Sequence, residues 1–277
     1  MDSIKSDDIP PMIRNMTKDF NSKICQLQLD FIHQSNELIM SIETKMKNSS
    51  DNSEDFLTLT FQEILDRIKL SRHSCSKVLI APSCAFSSPH TIQCILVCTD
   101  GSLQVANGVR AAAYSSSFGP QSPHLNFSSP SIDTSSSTIP EILAMSHALQ
   151  TAIILNIKKL IIFTDSTPAA TLVGTAVLSS IHQSHDLSSL SKKIPLLKSI
   201  FNTIHNNAKK LEILALCHLN AHQSITDLVS ATNSIADALA KEEAKANLLL
   251  KLPQSASRPR MTEINFSLPS TGQNLTY

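Results

Sequence analysis

Tryptophan is absent from this 277-residue chain, and 2 Tyr and 10 Phe bring the aromatics to only 4%. Base stacking, the usual grip on single-stranded nucleic acid, therefore has few side chains to draw on. Glycine is nearly as scarce, at 5 residues, so bare backbone is seldom free to close on a phosphate. Lys plus Arg number 23 and Asp plus Glu number 23. That zero balance excludes an overall cationic field, and any polyanion must be met locally. No apolar run approaches the roughly 20 residues of a membrane span, so no membrane association is expected. The 6 Cys contain no CxxC pair and follow no secretory leader. Reduced, mostly buried thiols in an intracellular protein, cytoplasmic or nuclear, are the expectation, with Cys98 and Cys217 as core thiols.

What is present is a hydrophobic content of 42%, enough for one good-sized domain with an appendage. Residues 1–70 read as a helical segment: Ile13, Met16, Phe20, Ile24, Leu27, Phe31, Leu38, Ile42 and Met46 recur mostly at steps of three and four. Such a stripe packs on a neighbour, on a protein partner or on a second copy of itself. Asn48 to Ser53 breaks it, and Phe56 to Leu70 reads as a second helix. Residues 71–90, with two prolines and several serines, read as a linker.

From Thr91 the pattern changes. Ile92–Thr99, Gly108–Ser115, Leu125–Ser129, Lys159–Thr164 and Leu211–Cys217 read as strands. Glu141–Leu155, Thr167–Ser180, Leu196–Ala208 and Asn233–Ala244 read as helices. Strands first and then alternating helices and strands predict an α/β domain over 91–247, with a mixed sheet flanked by helices. Residues 248–277 lack periodicity and read as a tail.

Four isolated acids stand beside core-forming residues. Asp100 follows Ile95-Leu96-Val97-Cys98-Thr99, and Asp165 follows Leu160-Ile161-Ile162-Phe163-Thr164. Glu141 opens the run Ile142-Leu143-Ala144-Met145, and Asp237 sits in Asn233-Ser234-Ile235-Ala236-Asp237-Ala238-Leu239-Ala240. A desolvated carboxylate is costly without a partner. Carboxyl ends of strands in α/β sheets are where sites form, and Asp100 and Asp165 are expected there on neighbouring strands. Asp237 is expected in the first turn of the last helix, where the helix dipole tolerates a negative charge. All-oxygen donors suit a hard cation, Mg²⁺ or Mn²⁺, and two ions about 4 Å apart can serve phosphodiester hydrolysis.

Taken singly, each acid has an ordinary reading: Asp100-Gly101 as a turn, Glu141 after Pro140 as a helix start, Asp165-Ser166 as a cap, Asp237 as a solvated helix residue. His182, His185 and His205 read as surface residues, and Lys209-Lys210 as a solvated helix end.

In order, context and approximate spacing, Thr99-Asp100-Gly101-Ser102, Glu141-Ile142-Leu143-Ala144-Met145, Phe163-Thr164-Asp165-Ser166 and Asn233 to Ala240 together resemble ribonuclease H of type 1. The likeness covers roughly Thr91 to Ala244. It implies a five-stranded mixed sheet flanked by helices and endonucleolytic hydrolysis of the RNA strand of an RNA–DNA hybrid with two Mg²⁺ ions. It further implies that Asp100 bridges the ions, that Glu141 and Asp165 share one of them with it, and that Asp237 holds the other. His222, in Leu219-Asn220-Ala221-His222-Gln223, matches the family's mobile histidine, with a role in proton transfer or product release. Recognition of RNA would rest on 2′-hydroxyls, with Ser102, Ser166 and the backbone around Gly101 as candidate contacts.

The chain departs from the family in several places. The stretch between His222 and Asn233 is long, the turn after Ser102 lacks a glycine-rich run, and His218 stands where an aromatic is common. Lys192, Lys193 and Lys198 replace the basic, Trp-bearing protrusion. These features suit a divergent or retroelement-derived member. Two other functions remain open on the residues alone: a module that keeps the fold and binds nucleic acid or a protein without turnover, and another nuclease or integrase of the same superfamily.

Overall fold

In the computed structural model the described residues are 56–71, 76–80, 88–131, 133–181, 197–220 and 227–252. The stripe from Ile13 to Met46, the loop residue His222 and the stretch 253–277 lie outside them. Among the described residues, no helix is long and apolar enough to cross a membrane.

The framework is a seven-stranded mixed sheet. Its strands are β1 (Thr58–Thr60), β2 (Lys77–Ile80), β3 (Gln93–Ala106), β4 (Val109–Ser117), β5 (Phe127–Pro130), β6 (Lys159–Thr164) and β7 (Ile213–His218). The helices are α1 (Phe61–Ser71), α2 (Thr138–Ile154), α3 (Thr167–Ile181), α4 (Lys198–Ala208) and α5 (Leu228–Lys251). Strand order is β2–β7–β6–β3–β4–β5, with β1 paired beside the start of β3. The β3–β6 and β6–β7 pairs are parallel and the rest antiparallel. The five expected strands are all present, and β1 and β2 are added to them.

Alternation along the strands sorts the core into two layers. Val97, Leu160, Ile162, Leu214 and Leu216 face α2, α3 and α4. Cys94, Leu96, Cys98, Ile161, Phe163, Ala215 and Cys217 face α1 and α5. Burial on both faces is why β6 reads as an unbroken apolar run. The thiols of Cys94, Cys98 and Cys217 are free and buried, as expected of core cysteines.

Small residues decide how closely the helices approach. β4 carries Ala111, Ala112, Ala113, Ser115, Ser116 and Ser117, all buried, and poor strand formers by propensity. Their pairing to β3 and β5 holds them extended. Across from them α5 buries Ala236, Ala240 and Ala244 in one row, each 0% exposed, and Ser115 Oγ donates to the Ala236 carbonyl at 2.6 Å.

Several boundaries differ from the sequence expectation. β3 does not end at Asp100. It continues to Ala106 and turns on Asn107 and Gly108, both at positive φ (51° and 76°), the two-residue hairpin that Asn-Gly favours. The helix expected from Phe56 begins at Phe61, because Thr60 and Glu63 form a reciprocal cap: Thr60 N donates to Glu63 Oε2 at 2.8 Å and Glu63 N to Thr60 Oγ1 at 3.2 Å. Within the stretch read as a linker, Lys77–Ile80 pairs antiparallel with Ile213–Leu216. Phe61 and Ile64 are buried against the sheet. The described residues ahead of Thr91 therefore belong to the same layered body.

Candidate metal centre

Period-two alternation carries the first two acids to one spot. Asp100 lies two residues beyond Cys98 and Asp165 two beyond Phe163, and Cys98 and Phe163 are register partners in the parallel β3–β6 pair. Both acids thus continue the face covered by α5. Asp165 sits just past the end of β6, as expected, whereas Asp100 is a mid-strand residue.

Glu141 enters from the other layer, on the first turn of α2. The two layers meet at Gly101. Its missing side chain leaves room for the helix backbone, since a Cβ there would stand 2.5 Å from the Glu141 amide nitrogen. The Gly101 N–H also donates to the Glu141 carboxylate. The result is a compact triad: one carboxylate oxygen from each of Asp100, Glu141 and Asp165, all within 4.8 Å of one another.

Asp237 stands at the flank of this triad, within hydrogen-bond reach of the Asp100 carboxyl. It is not in the first turn of its helix. α5 starts at Leu228 behind an Asp227 cap whose side chain accepts from Ser230 N, which puts Asp237 in the third turn, beyond the helix dipole's short reach. Its charge is met instead by Lys241 Nζ, 2.7 Å away and one turn on.

Electrostatics make the triad costly to ionise. Burial, followed by the neighbouring charges of Asp165 and Asp237, pushes the Asp100 carboxyl up to about 7. Burial and then Asp100 and Asp165 push Glu141 up to about 10. Glu141 Oε2 is buried with no hydrogen-bond partner among the described residues. An orphaned buried carboxylate oxygen facing two other carboxylates is a donor set that fits a hard divalent ion.

Other residues hold the acids in place. His218 Nε2 lies 3.1 Å from the Asp165 carbonyl oxygen, a contact that needs the Nε2–H tautomer. His218 N in turn donates to the Ser76 hydroxyl oxygen at 3.1 Å. Thr99 Oγ1 donates to the Phe163 carbonyl at 3.2 Å, tying β3 to β6 one residue before Asp100 and two before Asp165. Ser166 does serve as a cap, accepting from Ala169 N at 3.4 Å, and Ser102 Oγ accepts from Gln104 Nε2 at 3.2 Å. Sequence reasoning noticed His218 only as a departure. The parallel β6–β7 register, which pairs it with Thr164, is the signal that places it beside Asp165.

Beside the triad opens a cleft lined by Asp165, Asp237, Asn233, Asn220 and Asp227, and by Arg67 from α1. Periodicity alone predicts a separate helical segment for the stretch that carries Arg67, and gives no sign of its reach into this cleft.

Residues 93–245 match the family model described as RNase H. No curated protein matches the chain. Among solved structures, it is similar to the RNase H domain of prototype foamy virus at 17% identity, covering 55% of this chain and 94% of that one, with a TM-score of 0.39. RNase H1 from the halophilic archaeon Halobacterium salinarum NRC-1 gives 16% identity, 55% and 97% coverage and a TM-score of 0.35. The foamy viral protease-reverse transcriptase in complex with RNA/DNA hybrid gives 16% identity and a TM-score of 0.36, covering 55% of this chain and 20% of that one.

Proposed function

The chain belongs to the RNase H family, and on that footing we propose that it is an endoribonuclease hydrolysing the RNA strand of RNA–DNA hybrids. The observation that carries this reading is the convergence of Asp100, Glu141 and Asp165 within 4.8 Å, drawn from a strand, a helix start and a second strand end. Asp100, Glu141 and Asp165 would hold Mg²⁺ or Mn²⁺, and Asp237 would complete a second site. Bound ions of this kind activate water and steady a leaving oxygen.

The chain's own residues supply the arrangement. Gly101 lets Glu141 reach the strand carrying Asp100, and its N–H orients the Glu141 carboxylate. His218 holds the backbone of Asp165. Lys241 Nζ donates to Asp237 Oδ2 at 2.7 Å and so turns that side chain along its helix. His222 would assist proton transfer or product release from the loop that precedes α5.

The test is direct. Purified protein with Mg²⁺ should cut a labelled RNA–DNA hybrid and leave duplex DNA intact, and Asp165→Asn should abolish cutting while its thermal unfolding stays cooperative. Undiminished cutting by that variant would sink the mechanism.

A second reading draws on the Lys241–Asp237 pair: an ammonium at 2.7 Å already neutralises the acid that a second ion would need. On that reading the fold serves as a binding module with weak turnover or none. A calorimetric titration showing no Mg²⁺ binding together with intact hybrid binding would favour it.

A further inference from the structure

Arg67 lies outside the stretch that matches the family, yet its side chain lines the cleft shared by Asp165 and Asp237. That cleft measures about 550 Å³ with its open mouth included. Among the described residues lining it, Arg67 is the sole Lys or Arg, facing Asp165, Asp227 and Asp237.

Its position is set by packing. Phe61 and Ile64 are buried, and Ile68 is half-buried, in the layer formed by Cys98, Phe163 and Val229. With α1 seated this way, Arg67 is carried to the side facing α5, where its Nη2 donates to Asp227 Oδ2 at 2.9 Å. A guanidinium presents five N–H donors in a planar fork, and the described residues engage one of them. Its side chain is 36% exposed. Asp227 does not depend on this contact, because its other oxygen accepts from Ser230 N at 2.8 Å and caps α5. The pair therefore keeps a cation at the rim of an acidic cleft.

We propose that Arg67 is a substrate-contacting residue, whose guanidinium takes a non-bridging oxygen of a backbone phosphate of the polynucleotide laid in the cleft. A helix upstream of the family's own region thereby completes the binding surface. A strand entering the cleft meets three carboxylates, and a planar fork matches phosphate oxygens in pairs. The chain's zero net charge makes one well-placed cation count for more than a diffuse field. The inference rests on the hybrid reading above for the identity of the polynucleotide.

The experiment measures binding of a labelled RNA–DNA hybrid to the full chain against salt, in the Asp165→Asn background so that cutting does not enter. Arg67→Ala should weaken affinity roughly tenfold, the order of one lost charged contact. It should also make the slope of log affinity against log salt shallower by about 0.9, the value for one phosphate contact. Arg67→Lys should recover most of that slope. Asp227→Asn, which keeps a capping side chain, should not make it shallower. In the chain with Asp165 intact, Arg67→Ala should raise KM by a similar factor with kcat held within about twofold. An unchanged slope in Arg67→Ala, the same loss in Asp227→Asn, or no hybrid binding at all overturns the proposal. A chain that binds hybrid through Arg67 but never cuts it leaves this contact standing and removes the hydrolase reading alone.

Discussion

Gly101 and Glu141 touch backbone to backbone: a Cβ on Gly101 would fall 2.5 Å from the Glu141 nitrogen and 2.7 Å from the Pro140 carbonyl carbon. The strand bearing Asp100 and the helix bearing Glu141 can share a site only because nothing stands between them. Gly101→Ala must push α2 outward, since backbone cannot fold away as a flexible side chain can. Overpacking of this kind costs about 1–3 kcal/mol, and the same displacement opens the triad. Denaturant unfolding should show the loss, and calorimetry should show weakened Mg²⁺ binding. Stability and Mg²⁺ affinity both unchanged would contradict the close approach.

A second prediction concerns pH. Asp100 and Glu141 are raised to about 7 and about 10, first by burial and then, for Asp100, by Asp165 and Asp237 and, for Glu141, by Asp100 and Asp165. A carboxyl whose folded value exceeds its unfolded one contributes stability that is complete below about pH 4 and lost as pH rises. For Asp100 that loss runs to about pH 7, and for Glu141 it continues toward 10. The metal-free protein should therefore lose stability on going from pH 5 to pH 8 through these groups. Mg²⁺ favours the ionised forms, so its stabilising shift in melting temperature should be larger at pH 8 than at pH 5. Equal shifts at the two pH values would count against the triad as the ion's site.

His218 supplies a third. With its ring donating to the Asp165 carbonyl at 3.1 Å, His218→Ala should release the residue just past β6. We expect a loss of about 1 kcal/mol in stability, the usual scale for a single hydrogen bond. Cutting should fall mainly through kcat, because the loss acts on the geometry of Asp165. A change in KM alone would mean that His218 acts on substrate instead.

The fourth concerns the domain's true edge. A chain starting at Ser88 would lack β1, α1 and β2, removing Leu57, Phe61 and Ile64 from the layer they share with Leu96, Phe163 and Ile213. It should unfold without cooperativity or bind a hydrophobic dye, the signs of exposed core. A truncated chain that melts as sharply as the full one would restore 91–247 as a self-sufficient unit.

Much of this architecture could be read from residues alone, and the reasons for the failures are physical. Lys159–Thr164 was legible to the residue because a strand buried on both faces writes a continuous apolar run. The convergence of Asp100, Glu141 and Asp165 is legible because each stands beside a core segment. Asp-Gly resembles a turn, so the sequence predicts a strand end at Asp100 where the strand in fact runs on. The real turn, Asn107-Gly108, comes seven residues later, between Val105-Ala106 and Val109. Leu228 to Thr232 mixes apolar and polar residues, so periodicity predicts the helix start too close to Asp237. The decisive start signal is the Asp227–Ser230 cap, in which serine takes the place of the usual Glu or Gln. The reach of α1 into the cleft could not be seen at all. It depends on Arg67 meeting Asp227 across 160 residues, and no local periodicity encodes a pairing at that range.

The row of Ala236, Ala240 and Ala244 has a consequence for how such a chain can lose its chemistry. A rod seated this tightly has no slack, so one added methylene beneath it would lift the whole length and swing Asp237 off the strand below. Every titratable group would still be present, and any inventory of polar residues would look intact. Silencing can thus begin at positions whose side chains carry no heteroatom, and an inert relative should be inspected first in its methyl groups.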